Sequence, residues 1–519
     1  MISKIIKIII PANSYRGRLA RSYINRFRNH RSVSFARENY NKIRQSYYRH
    51  FISLTVEENL LVSIIVPCFN TPPKYFEPLL NSVFSQGYSR WELVLVDASD
   101  NKESSAYLLD KSKHDYRIKY FKTDNKGIAG NTNYGIEKCN GELVAFLDHD
   151  DTLDPNAIAE CVKLFNQKSE VGMVYTDEDK ISDDGSEYFQ PHFKPDFSLD
   201  MLRNVNYITH LVVVRKSIID EVKGIRQGFE GAQDYDFILR VVDVGTVVGH
   251  VPKVLYHWRE ADNSTAKKFS NKQGVLASGS RALEEHYKRH GIDDVERVNP
   301  IKDRPGFYRA EYRKPKEKLK IVINLNSSNL LPIEKDYIIN FYKGCKDVKK
   351  YYIDVTEQTP KKISSNCLLV NGPYIPKTKD EDLLSLFMVC KEEGVNGVAP
   401  MISRHGLVYD MGLYQTDDGL KPFFRDVSPN HFRSFGSLEW VRNVSSFTHR
   451  VQVLKNKLNN ESGRWVIWSH TEFTAFEPVV DEINYMPKFP NYFNPNVREQ
   501  TEIFEASNDY IVDLVKVKK

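Results

Sequence analysis

A chain of 519 residues exceeds what a single hydrophobic core fills, roughly 250–300 residues, so two or three domains are expected. Hydrophobic residues make up 41% and charged residues 27%, which excludes a wholly disordered chain and a multi-span membrane protein. The net charge of +5 conceals an asymmetry: residues 1–50 carry twelve Lys or Arg against the single acid Glu38, so the leader is +11 and the rest sums to −6.

In that leader the bases alternate with Tyr15, Leu19, Tyr23, Ile24, Phe27, Phe35, Tyr40 and Tyr47. A basic amphipathic helical arm over residues 1–58 suits an anionic membrane surface, where each base contributes about 1 kcal/mol. Nucleic acid would attract the same charge and a solvated arm would carry it idly; the expectation adopted is membrane docking without nucleic acid. The apolar run Ile5-Ile6-Lys7-Ile8-Ile9-Ile10 is too short for a bilayer, which takes about 20 residues, and lacks a small-residue cleavage site. Cys68, Cys139, Cys161, Cys345, Cys367 and Cys390 show neither a CxxC pair nor a regular spacing, so a reducing cytoplasm is expected rather than a zinc cage or disulfide framework.

From Val62 the pattern is α/β. Ser63-Ile64-Ile65-Val66 reads as a buried strand, and Phe76, Leu79, Leu80, Val83 and Phe84 form a helical stripe. Further strands are predicted at Glu92–Val96, Ile118–Phe121, Leu143–Leu147 and Val171–Tyr175, with helices at Ser104–Lys113 and Ile128–Lys138. A helix after the fourth strand has Asp154 as its expected cap and Pro155 in its first turn. Short apolar strands alternating with helices imply a mainly parallel sheet covered on both faces. Such a sheet holds ligands at the carboxyl ends of its strands, and the acidic clusters Asp148-His149-Asp150-Asp151 and Thr176-Asp177-Glu178-Asp179 follow strands directly.

The segment 297–319, rich in Lys, Arg, Pro and Glu, reads as a linker between a domain at 59–296 and another at 320–519. The second domain carries strands at Ile321–Ile323, Tyr351–Ile353 and Leu368–Val370, a reduced echo of the first. Leu369-Val370-Asn371-Gly372-Pro373 stands where Phe146-Leu147-Asp148-His149-Asp150 would, without acids. Between Thr356 and Cys367 there is no room for a third strand and its helix.

Transfer of a sugar from a nucleoside diphosphate needs a hard cation on the leaving diphosphate and a carboxylate that takes the acceptor's proton. Asp148 and Asp150, at alternate positions after a buried strand, offer metal ligands; capping by Asp154 would leave the remaining acids unexplained. Gln233-Asp234-Tyr235-Asp236 puts two acids at the head of an apolar helix. His257 and Arg259 close a strand with an imidazole suited to a metal and a guanidinium suited to phosphate.

These residues together resemble the family 2 glycosyltransferases of bacterial surface polysaccharide synthesis, which have the GT-A fold. The matching marks are Ser63-Ile64-Ile65-Val66-Pro67 with Asn70, Val94-Leu95-Val96-Asp97 with Ser99, Asn125-Lys126-Gly127-Ile128-Ala129 with Asn131, and Phe146-Leu147-Asp148-His149-Asp150-Asp151. Tyr175-Thr176-Asp177-Glu178-Asp179-Lys180, Phe193-Lys194-Pro195-Asp196, Gln233-Asp234-Tyr235-Asp236, and His257-Trp258-Arg259 with Asn263-Ser264-Thr265-Ala266 continue the series.

The resemblance implies a nucleotide-sugar site lined by Pro67, Asn70, Asp97, Asn125, Gly127, Asn131, Asp148 and Arg259. It implies a Mn2+ or Mg2+ site at Asp148, Asp150 and His257, and Asp234 as catalytic base, with Asp236, Asp177 and Glu178 as secondary candidates. Family members commonly carry Glu-Asp where this chain has Gln233-Asp234, so the base stays while any role of the missing Glu falls away. A base on the acceptor without a protein nucleophile implies inversion. The implied donor is a UDP- or dTDP-sugar and the implied acceptor a glycan or lipid-linked oligosaccharide of O-antigen, capsule or exopolysaccharide synthesis. The implied place is the cytoplasm, peripheral on the inner face of the plasma membrane. The second domain is expected to be a degenerate, non-catalytic relative of the first.

Two rival readings fit the residues less well. An inactive glycan-binding scaffold would have broken acids, and a nucleotidyltransferase would want a Gly-rich basic loop where Cys68-Phe69-Asn70-Thr71-Pro72-Pro73 stands.

Overall fold

The computed structural model describes Tyr40, Arg44 and most of residues 56–475, with breaks at 58, 261–272 and 303 and further breaks between 314 and 463. The expected leader helix, Tyr40 and Arg44 apart, and the segment Asn263-Ser264-Thr265-Ala266 lie outside the described residues. The chain divides into two compact units, Arg37–Ala310 and Glu311 onward.

In the first unit β1 (Val62–Cys68) is a β-branched run buried on both faces, as a central parallel strand requires. Helix α1 (Pro73–Phe84) opens with proline, whose missing N–H costs nothing at that position, and buries Phe76, Leu79, Leu80 and Val83. Then come β2 (Trp91–Asp97), α2 (Lys102–Ser112), β3 (Ile118–Lys122), α3 (Gly127–Lys138) and β4 (Leu143–Phe146). The chain continues through β5 (Thr152–Leu153), α4 (Ala157–Gln167), β6 (Val171–Ser182), β7 (Tyr188–His192), α5 (Leu199–Leu202), β8 (Val212–Arg215), α6 (Lys216–Glu221), α7 (Gln233–Asp243), β9 (Val247–Glu260) and α8 (Gln273–Arg289).

The sheet runs β3-β2-β1-β4-β8-β6-β9-β5, with β7 on β6. Strands β1 to β4 are mutually parallel where they pair, and β8 is antiparallel to both its neighbours. The strand order therefore reverses between β1 and β4, and the crevice at their carboxyl ends is where open α/β sheets bind ligands. This is the GT-A-like α/β fold, with Leu79, Leu93, Leu95, Leu143, Ile158, Phe165 and Val213 in one core around the sheet.

Three details differ from the sequence reading. Asp154 does not cap α4: its carboxylate accepts the Asn156 amide at 3.0 Å, and the orphan amide of Ile158 is satisfied instead by the Gln86 side chain at 3.0 Å. Strand β6 does not stop at Tyr175 but runs through Asp177, Glu178 and Asp179, whose carboxylates pair with His250, Lys194 and His257. The stretch expected as a linker holds a hairpin of Val295–Pro300 and Tyr308–Tyr312. Asn204 fastens it in both directions, its carbonyl taking the Tyr308 amide at 2.8 Å and its side-chain amide meeting the Tyr308 carbonyl at 2.9 Å.

In the second unit the spatial order is Tyr351–Val355, Leu319–Asn324, Cys367–Asn371, Val451–Leu454, Val395–Arg404, Arg464–Ala475 and Tyr374–Pro376, with Leu407–Asp410 on Val395–Arg404. In order and in direction this repeats β2-β1-β4-β8-β6-β9-β5 with β7, with no equivalent of β3 among the described residues. The turn after the third of these strands is Gly372-Pro373, where the first unit places its acids. Among the described residues no helix is long and apolar enough to cross a membrane.

The entry to β4 is set by one close backbone approach. Gly141 donates to Ser63 Oγ at 2.9 Å, and Ser63 donates to buried Glu92 at 2.7 Å. A Cβ on Gly141 would lie 2.6 Å from the Leu61 carbonyl and 2.7 Å from the Ser63 nitrogen, atoms that cannot step aside. Gly141→Ala is expected to lower the unfolding free energy by about 1–3 kcal/mol, read as a reduced midpoint in urea at unchanged slope.

Candidate active site

The turn after β4 separates its acids by exposure. Asp151 is buried, accepting the Tyr256 hydroxyl at 2.5 Å and the Arg259 amide at 2.7 Å. Asp148 and Asp150 are left partly open, with side chains 48% and 21% exposed. Arg259 fastens the turn to the β6–β7 hairpin: its Nε donates to the Asp150 carbonyl at 2.7 Å and its Nη1 to those of Ser182 and Asp183 at 3.1 and 3.0 Å. The sequence suggests Arg259 as a phosphate clamp; buried and committed to three carbonyls, it instead sets the place of Asp150, with only Nη2 lacking a partner.

The cluster carries more negative charge than its surroundings neutralise. Burial pushes the Asp151 carboxyl well above its ordinary range, and the charges of Asp150 and Asp148 add to that. Asp150 is also raised, chiefly by burial, with His149 opposing and Asp148 adding. Carboxylates crowded in this way fit a hard divalent cation, which takes oxygen ligands and relieves the repulsion that now favours protons.

Asp234 stands in the first turn of α7. Gln233 tightens the turn before it, accepting the Gly231 amide at 2.6 Å. The Asp234 Oδ2 accepts the Asn206 side-chain amide at 3.0 Å. Burial raises its carboxyl, the charge of His210 opposes and that of Asp148 adds, so all three groups share one electrostatic neighbourhood. Asp236, a secondary candidate, is no substitute base. It is fully buried, with Arg226 Nε at 3.0 Å, Arg240 Nε at 2.9 Å and a second contact from Arg226 Nη2.

His257 must also be reassigned. Its Nδ1 lies 2.6 Å from Asp179 Oδ1 and its Nε2 3.0 Å from Arg44 Nη2, so neither nitrogen is left for a metal. Asp179 takes the Tyr40 hydroxyl at 2.8 Å as well, and the Arg44 guanidinium lies 3.4 Å from the centre of the Tyr188 ring. Strand alternation is the reason: on β9, Tyr256 and Trp258 point one way and His257 the other. Tyr256 and Trp258 meet a different imidazole, His210, at ring-centre distances of 4.7 and 5.9 Å.

His210 precedes β8 and was not singled out from the sequence. Its Nδ1 lies 3.1 Å from Glu178 Oε2, and its Nε2 lies 3.8 Å from Asp148 Oδ2. Burial alone would lower the imidazole, but the bond to Glu178 and the charges of Glu178, Asp148 and Asp151 push it up to about 9. Glu178 is a supporting group rather than a site carboxylate: buried, it also meets His192 Nδ1 at 3.2 Å, Lys194 Nζ at 3.2 Å and Thr209 Oγ1 at 3.0 Å. Burial would raise Glu178, yet Lys194, His192 and His210 hold it well below the ordinary range. Asp177 is likewise buried, accepting the Lys194 amide and meeting His250 Nε2, each at 2.9 Å.

Pro67, Asn70 and Asp97 come together at the carboxyl ends of β1 and β2. Asn70, at a φ of 51°, accepts the Asp100 and Asn101 amides at 3.0 and 3.1 Å and so joins the two loops. Pro67 lies opposite Val96 in the β1–β2 register. Asp97 accepts the Tyr120 hydroxyl at 2.7 Å and the Ser99 amide at 2.9 Å. Burial would raise it, but hydrogen bonds from Ser105, Tyr120 and Ser99 hold it below the ordinary range. Asn125 accepts the Gly127 amide at 2.9 Å and the Asn131 side-chain amide at 3.1 Å, while buried Asn131 accepts the Lys126 amide at 3.0 Å. Asn131 therefore shapes this loop from beneath rather than facing a ligand.

Asp243, His286 and His290 form another cluster of metal-ligand type. It is a hydrogen-bond network instead. His286, pushed down to about 4 mainly by burial, is neutral; its Nε2 accepts Arg203 Nε at 2.9 Å, so the proton sits on Nδ1 and faces Asp243 Oδ1 at 2.5 Å. A metal on Nδ1 would need the opposite tautomer.

Residues 63–223 match the model of glycosyl transferase family 2. The chain is 29% identical over 438 residues to the O-antigen biosynthesis protein RfbC of Myxococcus xanthus, covering 78% of this chain and 34% of that protein. It is 39% identical over 233 residues to an uncharacterized protein, y4gI, of Sinorhizobium fredii, covering 44% and 26%. It is 25% identical over 217 residues to the chondroitin synthase of Escherichia coli, covering 42% and 31%. The chain thus spans about a third or less of the length of each of these relatives.

The contrast between the two acids of α7 is open to a stability measurement. Asp236→Ala removes the buried carboxylate shared by Arg226 and Arg240, leaving Arg226 with Glu285 and Arg240 with backbone carbonyls, and is expected to cost roughly 3 kcal/mol of unfolding free energy. Asp234→Ala removes one hydrogen bond and relieves repulsion, and its cost in urea unfolding is expected to be about 1 kcal/mol or less.

Proposed function

Because residues 63–223 form a family 2 glycosyltransferase domain, we propose that this chain transfers a sugar, with inversion, from a nucleoside diphosphate donor to a hydroxyl of a glycan or lipid-linked acceptor. The observation that carries the reading is the electrostatic influence of Asp148 on both Asp150, in the turn after β4, and Asp234, at the head of α7. They gather at the crevice where the strand order reverses.

Asp148 and Asp150 would hold Mn2+ or Mg2+, which when bound supplies positive charge to the departing diphosphate. The rest falls to the chain's own groups. Pro67, Asn70, Asp97, Asn125 and Gly127 would receive the nucleoside, with Asp97 already ionised and facing donors at the end of β2. Asp234 would take the proton of the acceptor hydroxyl; Asn206 holds one of its oxygens, and burial raises its carboxyl toward the range of an effective base. The absence of a nucleophile role for Asp236 favours a single displacement.

Uridine and deoxythymidine diphosphate sugars both suit this site. Similarity to an O-antigen biosynthesis protein and to a chondroitin synthase supports a polysaccharide acceptor. The basic leader supports a place at the cytoplasmic face of the plasma membrane. The second unit would be a family-related domain without catalysis: the repeated strand order supports the kinship, and Asn371-Gly372-Pro373 in place of the acids supports the inactivity.

Thermal unfolding against UDP, dTDP, GDP and CMP, with and without Mn2+, tests the reading, since a ligand that binds the folded state raises the midpoint. One uridine or deoxythymidine nucleotide should raise it only with the metal, and Asp150→Ala should abolish the rise. Asp234→Asn should keep that rise and lose transfer by at least about 100-fold, the scale of general base catalysis. No rise with any nucleotide, or near wild-type turnover in Asp234→Asn, would favour a glycan-binding scaffold or another base.

A further inference from the structure

An imidazole at the acidic turn is oriented from behind and left open in front. His210 Nδ1 faces the Glu178 carboxylate at 3.1 Å and donates to it, which turns Nε2 outward, where a bound cation would take the place of that nitrogen's proton. Nε2 lies 3.8 Å from Asp148 Oδ2, beyond a hydrogen bond yet within the span of two ligands on one ion. The ring plane is fixed by stacking on Tyr256, 13° from parallel, and Tyr256 itself bonds to Asp151. Thr209, held at a left-handed φ of 37° that β-branched residues seldom adopt, adds its hydroxyl to Glu178 at 3.0 Å. Metal-bound histidines have this construction, the second nitrogen donating to a carboxylate that sets tautomer and direction. His257 lacks it, since both its nitrogens are used.

We propose that His210 supplies the imidazole arm of the cation site, with Glu178 as the carboxylate that orients it. The proposal rests on the metal-dependent reading of the site given above. It adds a statement about the ion: a nitrogen ligand beside carboxylates favours a first-row transition ion such as Mn2+ over Mg2+, which prefers oxygen alone.

Pulsed electron paramagnetic resonance of Mn2+ bound to the full chain with UDP provides the test. The wild type should show nitrogen-14 coupling from a directly bound imidazole. His210→Gln should bind Mn2+ at least about 10-fold more weakly and show no coupling, while melting normally without ligand. Bound Mn2+ without nitrogen coupling in the wild type, or coupling that survives in His210→Gln, overturns the assignment. Failure of the wild type to bind Mn2+ at all, with Asp150→Asn behaving identically, removes the metal reading itself and the proposal with it. If His210→Gln does not fold, the wild type alone decides. Carbethoxylation of His210 by diethyl pyrocarbonate, read by mass spectrometry, should fall with Mn2+ and UDP together and not with UDP alone; equal modification in both overturns the proposal.

Discussion

Three carboxylates, on Asp148, Asp150 and Asp151, emerge within four residues of one another at the end of a buried strand, and much of the surrounding structure answers their repulsion. Asp151 is taken inward, where it accepts hydrogen bonds from the Tyr256 hydroxyl and the Arg259 amide. Arg259 also donates from Nε and Nη1 to the backbone carbonyls that hold the turn to the next hairpin. What is left is a pair of partly exposed acids in a fixed position, an arrangement that costs stability unless a cation completes it. Sites of chemistry commonly carry such a local cost, offset by the packing of the core beneath.

Behind this turn lies a second layer of paired titratable groups, most of them buried. Glu178, Lys194, His192 and His210 form one buried set, and Asp177, His250 and Asp196 another, with His250 bonded at 2.9 Å to both acids. Buried ion pairs of this kind add little net stability but fix geometry, because breaking one leaves a charge without compensation. Asp179 with His257, Arg44 and Tyr40 repeats the device between β6 and β9, holding Tyr40 and Arg44 to the sheet of the first unit. The acids of β6 thus serve as framework, and those of the β4 turn and the α7 head remain for chemistry.

The strands and the acidic turn were legible in the sequence because their signals are local: apolar runs of five or so residues, helical stripes and an Asp-x-Asp at a strand exit. Asp177, Glu178 and Asp179 look in sequence like a second acidic loop, and only their partners, 14 to 78 residues away, make them a buried strand. His257 and Arg259, two residues apart on β9, share a face of the strand, yet His257 is taken up by Asp179 and Arg44 while the longer Arg259 reaches the Asp150 carbonyl. His210 gave no signal, since a lone histidine before an apolar strand is unremarkable until Glu178 and Tyr256 are seen against it. The hairpin after Val295 was read as a linker from its composition; Asn204 and a space left by Gly279 under the Tyr308 ring, contacts at long range, are what give it structure.

If the carboxyl end of β4 is the cation and donor site, a crystal soaked with Mn2+ and UDP reveals it directly through anomalous scattering. A manganese peak is then expected beside Asp148 and Asp150, with diphosphate density reaching it. A peak at Asp243, His286 and His290 instead, with the β4 turn empty and nucleotide absent from the crevice, would contradict it.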